Sequence, residues 1–171
     1  MAGAAREDRP VAGRIATVGV YGFDAEVFLR TLRAAGVEVV LDVRQRRGVR
    51  GPQYAWANSR RLQAALAEAG IGYQHHKELA PTTALRQAQY RADAELGEGK
   101  RSRTQLSPEY ERLYTEQILD QAELDPIAEL ARQTLPALLC VERDPEACHR
   151  SLIAARLESE FGLEAFHLRP D

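Results

Sequence analysis

Pro136-Ala137-Leu138-Leu139-Cys140-Val141-Glu142-Arg143-Asp144-Pro145-Glu146-Ala147-Cys148-His149-Arg150 runs from an apolar strand into a helix, and its reading decides the fold class. Pro136 to Val141 is a short apolar run of the kind buried inside a sheet. Asp144-Pro145 reads either as N-cap and first helical residue or as the start of a type I turn. Either way, the amphipathic helix that follows begins within a few residues of Cys148. Both cysteines of the chain, a histidine, a carboxylate and two arginines therefore gather around one strand-to-helix turn. Helix N-termini carry unpaired N–H groups and partial positive charge, so an anion fits there and a nearby thiol is biased toward thiolate.

The same alternation extends outward in both directions. Ile15 to Val20 reads as a first strand. Asp24 caps a helix carrying Val27, Phe28, Leu32 and Ala35, which Gly36 closes. Val37 to Leu41 is a near-continuous β-branched run, as in a strand covered on both faces, with Asp42-Val43-Arg44 at its carboxyl end. Asn58 or Ser59 starts a helix with Leu62, Ala65, Leu66 and Ala69, closed by Gly70, and a strand near Ile71 to His75 follows. The segment from Pro81 to Leu135 is mostly helical, broken by Gly97, Gly99 and Pro108, with helices expected over Pro108 to Leu119 and Leu124 to Leu135. A helix through Phe161 and a strand around Ala165 to Leu168 end the chain.

This pattern predicts an α/β fold: a single domain over residues 15–171, with a mainly parallel sheet and helices on both faces in a Rossmann-like, three-layer arrangement. No internal repeat or low-complexity tract interrupts it. Ligands of such sheets bind outside the carboxyl ends of the strands. That rule collects Tyr21, Asp42, Arg44, His75, His76, Cys140 and Glu142 on one rim.

Composition sets limits on function. A chain of 171 residues is long enough to bury a core without staples. A formal net charge of -2 argues against a generic basic protein that coats nucleic acid. Two cysteines make no disulfide framework and fit a reducing cytosol, so a cytoplasmic location is expected. Met1 to Arg14 contains Arg6, Glu7, Asp8, Arg9 and Pro10 and reads as a flexible tail, not a signal peptide. No segment is long and apolar enough to cross a bilayer, and no membrane partner is expected.

Several residue sets carry chemistry. Asp42 and Arg44 point to the same side of a strand end, either as an ion pair pinning the next loop or as ligand contacts. From Arg44 to Arg61 there are arginines at 44, 46, 47, 50, 60 and 61 and no acidic residue, with Tyr54 and Trp56 interleaved. Guanidinium forks suit phosphate and aromatic faces suit bases. The bland alternative is a solvated loop whose arginines pair with the acidic stretch Glu109 to Glu129. His75 and His76 face opposite ways if the strand continues, so at most one readily reaches the rim. Cys148 with His149 reads as a nucleophile and its base. Cys140, Cys148, a histidine and Glu142 could instead hold zinc, but their spacing matches no common structural zinc pattern, and no metal is assigned. Arg150 at a helix start opposes the helix dipole unless an anion or Glu142 offsets it.

Taken together, these motifs resemble the domain of unknown function 488 family. The resemblance rests on Thr17-Val18-Gly19, Leu41-Asp42-Val43-Arg44, Gly51-Pro52-Gln53-Tyr54, Ala69-Gly70-Ile71-Gly72-Tyr73, Tyr110 with Tyr114, and Leu139-Cys140-Val141-Glu142 through Cys148-His149-Arg150-Ser151. It covers nearly all of the chain beyond the tail. This member departs from the common pattern at Gln45-Arg46-Arg47-Gly48, where the family usually has proline and serine. The resemblance implies a compact α/β domain with a shared site and no assigned reaction.

The leading expectation is an enzyme that binds a phosphate-bearing ligand, a nucleotide or nucleic acid. Arg44 and Arg150 would hold the anion, with Tyr21, Tyr54, Trp56 and His76 as further ligand contacts. Cys148 or Cys140 would act as nucleophile or ligand, and Asp42, Glu142 or His149 as acid–base groups. One rival is a non-catalytic nucleic-acid-binding module using the segment 44–61. Another is a rhodanese-like sulfur-transfer or redox domain. Cofactor, substrate and oligomeric state are not legible.

Overall fold

The computed structural model describes residues 13–99 and 103–170. The expected tail falls, through residue 12, outside the described residues. Strands β1 (Arg14–Val18), β2 (Val39–Asp42), β3 (Gly72–His75), β4 (Pro136–Leu139) and β5 (Glu164–His167) pair in parallel, in the order β3-β2-β4-β1-β5. Helices α1 (Ala25–Ala35) and α2 (Ser59–Glu68) cover one face of the sheet. Helices α3 (Thr83–Glu95), α4 (Pro108–Gln117), α5 (Asp125–Gln133) and α6 (His149–Phe161) belong to the other. This is the expected three-layer α/β architecture. Among the described residues, no helix is long and apolar enough to cross a membrane.

The layers follow from strand periodicity, which turns successive side chains to opposite faces. Ile15, Leu41 and Leu138 pack with Tyr114, Ile127, Ile153 and Leu157. Ala16, Val18, Val40, Ala137 and Leu139 pack with Phe28, Leu32, Leu62 and Leu66. Both sets are fully or nearly fully buried, which is why these strands read as continuous apolar runs. The helix ends follow local chemistry. Asp24 Oδ1 accepts the Val27 N–H at 2.8 Å, and Gly36 closes α1 at a φ of 80° that favours glycine.

Several element ends lie a residue or two from the sequence reading, and two of these places shape the site. The first strand was expected to reach Val20 but ends at Val18, because the Val20 and Tyr21 N–H groups both donate to the Val141 carbonyl at 3.0 Å. Gly19 lies at that crossing. A Cβ there would sit 1.9 Å from the Glu142 carbonyl oxygen, so only glycine lets the two segments touch. Of the two readings of Asp144-Pro145, the turn describes the geometry, with the Ala147 N–H donating to the Asp144 carbonyl at 3.0 Å. Pro145–Ala147 forms a single 3₁₀ turn first, and Cys148 becomes the N-cap of α6.

Strand order positions the site. The chain leaves β2 toward α2 on one face and leaves its neighbour β4 toward α6 on the other. Their connections diverge and open a crevice at the carboxyl ends of the sheet, as such folds require.

Candidate functional site

A buried cluster of two cysteines and a histidine forms where the β4–α6 connection closes on itself. Cys140 Sγ lies 3.5 Å from His149 Nδ1, and Cys148 Sγ lies 3.7 Å from the same nitrogen. His149 Nε2 lies 2.9 Å from the Val43 carbonyl oxygen. A carbonyl can only accept, so Nε2 carries the hydrogen and Nδ1 faces the two sulfurs. Both cysteines are free. Cys140 Sγ also lies 3.3 Å from Glu142 Oε2.

A second set of buried polar groups braces this cluster from the helical layer. Arg103 Nη1 lies 3.7 Å from Glu142 Oε1 and donates to the Ala147 carbonyl at 3.2 Å. Its Nε donates to Asp93 at 3.0 Å, and Asp93 also accepts from Gln89 at 2.7 Å. The β4–α6 connection is therefore tied to α3 by paired charges.

These neighbours divide the cluster electrostatically. Burial opposes ionisation of Cys148, but the Cys140 thiol hydrogen bond and the charges of His149 and Arg150 outweigh it. Its pKa is held well below that of an ordinary thiol. Burial pushes Cys140 the other way, well up, with the adjacent Cys148 and Glu142 adding to the rise. His149 is disfavoured as a cation by burial, yet the neighbouring Cys148 and the Val43 carbonyl raise its pKa. Ionisation is thus favoured at Cys148 and opposed at Cys140.

Cys140, Glu142, Cys148 and His149 line a cavity of about 830 Å³. Arg44, Arg46, Arg50, Arg86 and Arg103 also line it, and Glu142 is the one carboxylate among the described lining residues. The volume lies within the range of small-molecule sites.

Not every residue singled out in the sequence reaches this cavity. Tyr21 lines it, and its ring lies 5.1 Å from that of Tyr54, whose hydroxyl accepts the Gly22 N–H at 3.4 Å. Asp42 sits behind the wall. Its carboxylate receives Arg44 Nε at 2.9 Å and Nη2 at 2.8 Å, while Arg44 Nη1 donates to the Ala57 carbonyl at 2.9 Å. Tyr73 donates to Asp42 Oδ2 at 2.6 Å. Of the two sequence readings for this pair, the loop-pinning one describes the geometry.

Arg150 also lies behind the wall. It is fully buried and donates to Thr17 Oγ1 at 3.3 Å, the Glu142 carbonyl at 2.6 Å and the Arg143 carbonyl at 3.0 Å. Loop carbonyls and the Thr17 hydroxyl thus receive its guanidinium at the helix start. Trp56 packs 4.8 Å from Phe28 and lines a separate cleft of about 150 Å³ between α1 and α2. His76 contacts Glu78 at 2.7 Å and Gln74 at 2.9 Å and does not line the cavity. His75 Nε2 meets the Arg44 carbonyl at 3.0 Å. The acidic helices pair with their own arginines, Arg112 with Glu116 and Arg132 with Glu129.

The wall contributed by α3 and its flanks was not read from the sequence. Arg86, Gln89 and Tyr90 come from α3, and Arg103 and Tyr110 from beyond it. One signal was present: Arg86, Gln89 and Asp93 recur at helical spacing, so polar residues occupy a face that the fold buries at 89 and 93.

A family model described as domain of unknown function DUF488 matches residues 24–157. No curated protein and no solved structure matches the chain in the same comparisons.

Proposed function

We propose that this chain, which belongs to the DUF488 family, is an enzyme that binds a phosphate-bearing ligand in the cavity between the β2 and β4 connections. The observation that carries this reading is the pairing of an arginine-lined cavity with a Cys/Cys/His cluster in its wall. Arg46, Arg50 and Arg86 line the cavity and would receive the anion, with Arg86 oriented by Gln45 Oε1 at 2.9 Å and the Tyr90 hydroxyl at 3.0 Å. The Cys140–Cys148–His149 cluster supplies the reactive groups, and Glu142 beside it an acid–base group. Tyr21 and Tyr110 add aromatic faces suited to a base, which favours a nucleotide.

The rival reading, an exposed nucleic-acid surface along residues 44–61, fits less well. That segment divides. Arg44 is buried on Asp42, Arg47 donates to the Tyr73 hydroxyl at 3.3 Å, and Arg46 and Arg50 line the cavity. A cytoplasmic location belongs to this proposal, from the reduced state that the reactive thiols need.

Equilibrium dialysis with inorganic phosphate, nucleoside monophosphates and the parent nucleosides tests the proposal. Phosphate-bearing probes should bind and nucleosides should not. Arg46→Ala with Arg50→Ala should weaken binding by about tenfold or more, because a hydrogen bond to a charged group contributes about 1.5–3 kcal/mol. Equal retention of nucleosides and nucleotides, or an unchanged affinity in the double variant, would overturn it. So would binding of single-stranded oligonucleotides with no affinity for mononucleotides.

A further inference from the structure

We propose that Cys140, Cys148 and His149 form a zinc site with one coordination position open to the cavity. Their three donor atoms all lie within 4.8 Å of one another. Zinc bonds of about 2.3 Å to sulfur and 2.0–2.1 Å to nitrogen, at tetrahedral angles, place sulfur and nitrogen about 3.5–3.6 Å apart. The observed separations from Nδ1 are 3.5 Å to Cys140 and 3.7 Å to Cys148. Both sulfur–nitrogen separations already match edges of a zinc tetrahedron, and the two sulfurs lie within 4.8 Å of each other.

The histidine is prepared for the same role. Its Nε2–H is fixed on the Val43 carbonyl at 2.9 Å, which orients the ring and leaves the Nδ1 lone pair toward the sulfurs. Such outer-shell hydrogen bonds accompany nearly all metal-bound histidines. A thiolate-rich set with one imidazole selects a borderline-soft, four-coordinate ion, and zinc fits best. Glu142 Oε2, 3.3 Å from Cys140 Sγ, lies beside this set and outside it. All three ligand residues line the cavity, so the fourth position faces that space. Two thiolates and one histidine with an open position is a catalytic arrangement for zinc, whereas structural sites are closed by a fourth protein ligand. The chain spacing conceals it, because the first cysteine follows a strand and the other two ligands begin a helix.

The test uses the reduced, chelator-stripped full chain, titrated with cobalt(II) in phosphate-free buffer, so it does not depend on the ligand proposed above. One cobalt per chain should bind with thiolate-to-cobalt charge transfer and strong tetrahedral d–d bands, both lost when zinc is added. Azide should shift the d–d bands by occupying the open position. Cys148→Ser and His149→Ala, checked for folding by circular dichroism, should each weaken cobalt binding at least about 100-fold, the upper end of the cost of losing an outer-shell partner. If the wild-type chain shows no charge-transfer band, the proposal fails whatever the variants do. Folded variants that keep the wild-type spectrum would also overturn it, and indifference to azide would overturn the open position.

Discussion

Replacing Asp42 with alanine should be among the most damaging single changes in this protein. Asp42 is fully buried and receives the Arg44 backbone N–H at 3.1 Å, Nε at 2.9 Å, Nη2 at 2.8 Å and the Tyr73 hydroxyl at 2.6 Å. The Arg44 side chain is 1% exposed, so no water replaces the lost carboxylate. Breaking a buried pair from one side costs about 3–5 kcal/mol, because the partner charge stays buried and uncompensated. Domains of this size lose about 2–4 °C of Tm per kcal/mol, so the expected drop is roughly 6–20 °C. Urea denaturation of Asp42→Ala, Arg44→Met and the double variant measures it. The double variant removes both charges and should be more stable than the sum of the single losses by about 2 kcal/mol, as expected for groups in direct contact. A loss below about 1 kcal/mol for Asp42→Ala, or strict additivity, would refute the argument that this pair pins the loop bearing Arg46 and Arg50.

Gly19→Ala should cost about 1–3 kcal/mol and disturb the β4–α6 connection, since its Cβ would lie 1.9 Å from the Glu142 carbonyl oxygen. Calorimetry and the rate of thiol alkylation would report the two effects, and a neutral variant would refute the close approach. A second prediction concerns alkaline pH. Burial pushes up the pKa of Tyr110, with the charges of Cys148, Cys140 and Glu142 adding to it and Arg103 opposing, and burial likewise pushes up Tyr114. A raised folded pKa gives stability that is complete below the unfolded value of about 10 and is lost as pH rises above it. Phenolate absorbance should show both rings titrating only as the protein unfolds, and reversible titration of all six tyrosines in the folded state would contradict this.

Much of the fold was legible because it depends on local chemistry. The apolar runs at 37–41 and 136–141 reveal buried strands, and Asp24 and Gly36 mark the ends of α1 through hydrogen bonds and a positive φ available within a few residues. The Asp42–Arg44 pair was also readable, since side chains two apart on a strand share a face. The cysteine–histidine turn announced itself for the same reason: its members lie in one strand–loop–helix unit.

What the sequence could not determine depends on contacts between segments far apart in the chain. Only the insertion of β4 between β1 and β2 brings the loop after residue 42 against the one after residue 139, because strand order is set by the packing of whole faces. The role of Arg150 changed for that reason. Carbonyls of residues 142 and 143 and the Thr17 hydroxyl engage it, and a linear reading shows none of those distances. Arg103 is the converse case. It joins the site through Asp93 and Glu142, two carboxylates from separate segments, and its burial is affordable only because both are present. The sequence by itself determined the elements, their order and the chemical groups at their ends. Tertiary structure alone decided which of those groups meet, because a buried charge or thiol takes its partner from whatever the sheet places beside it.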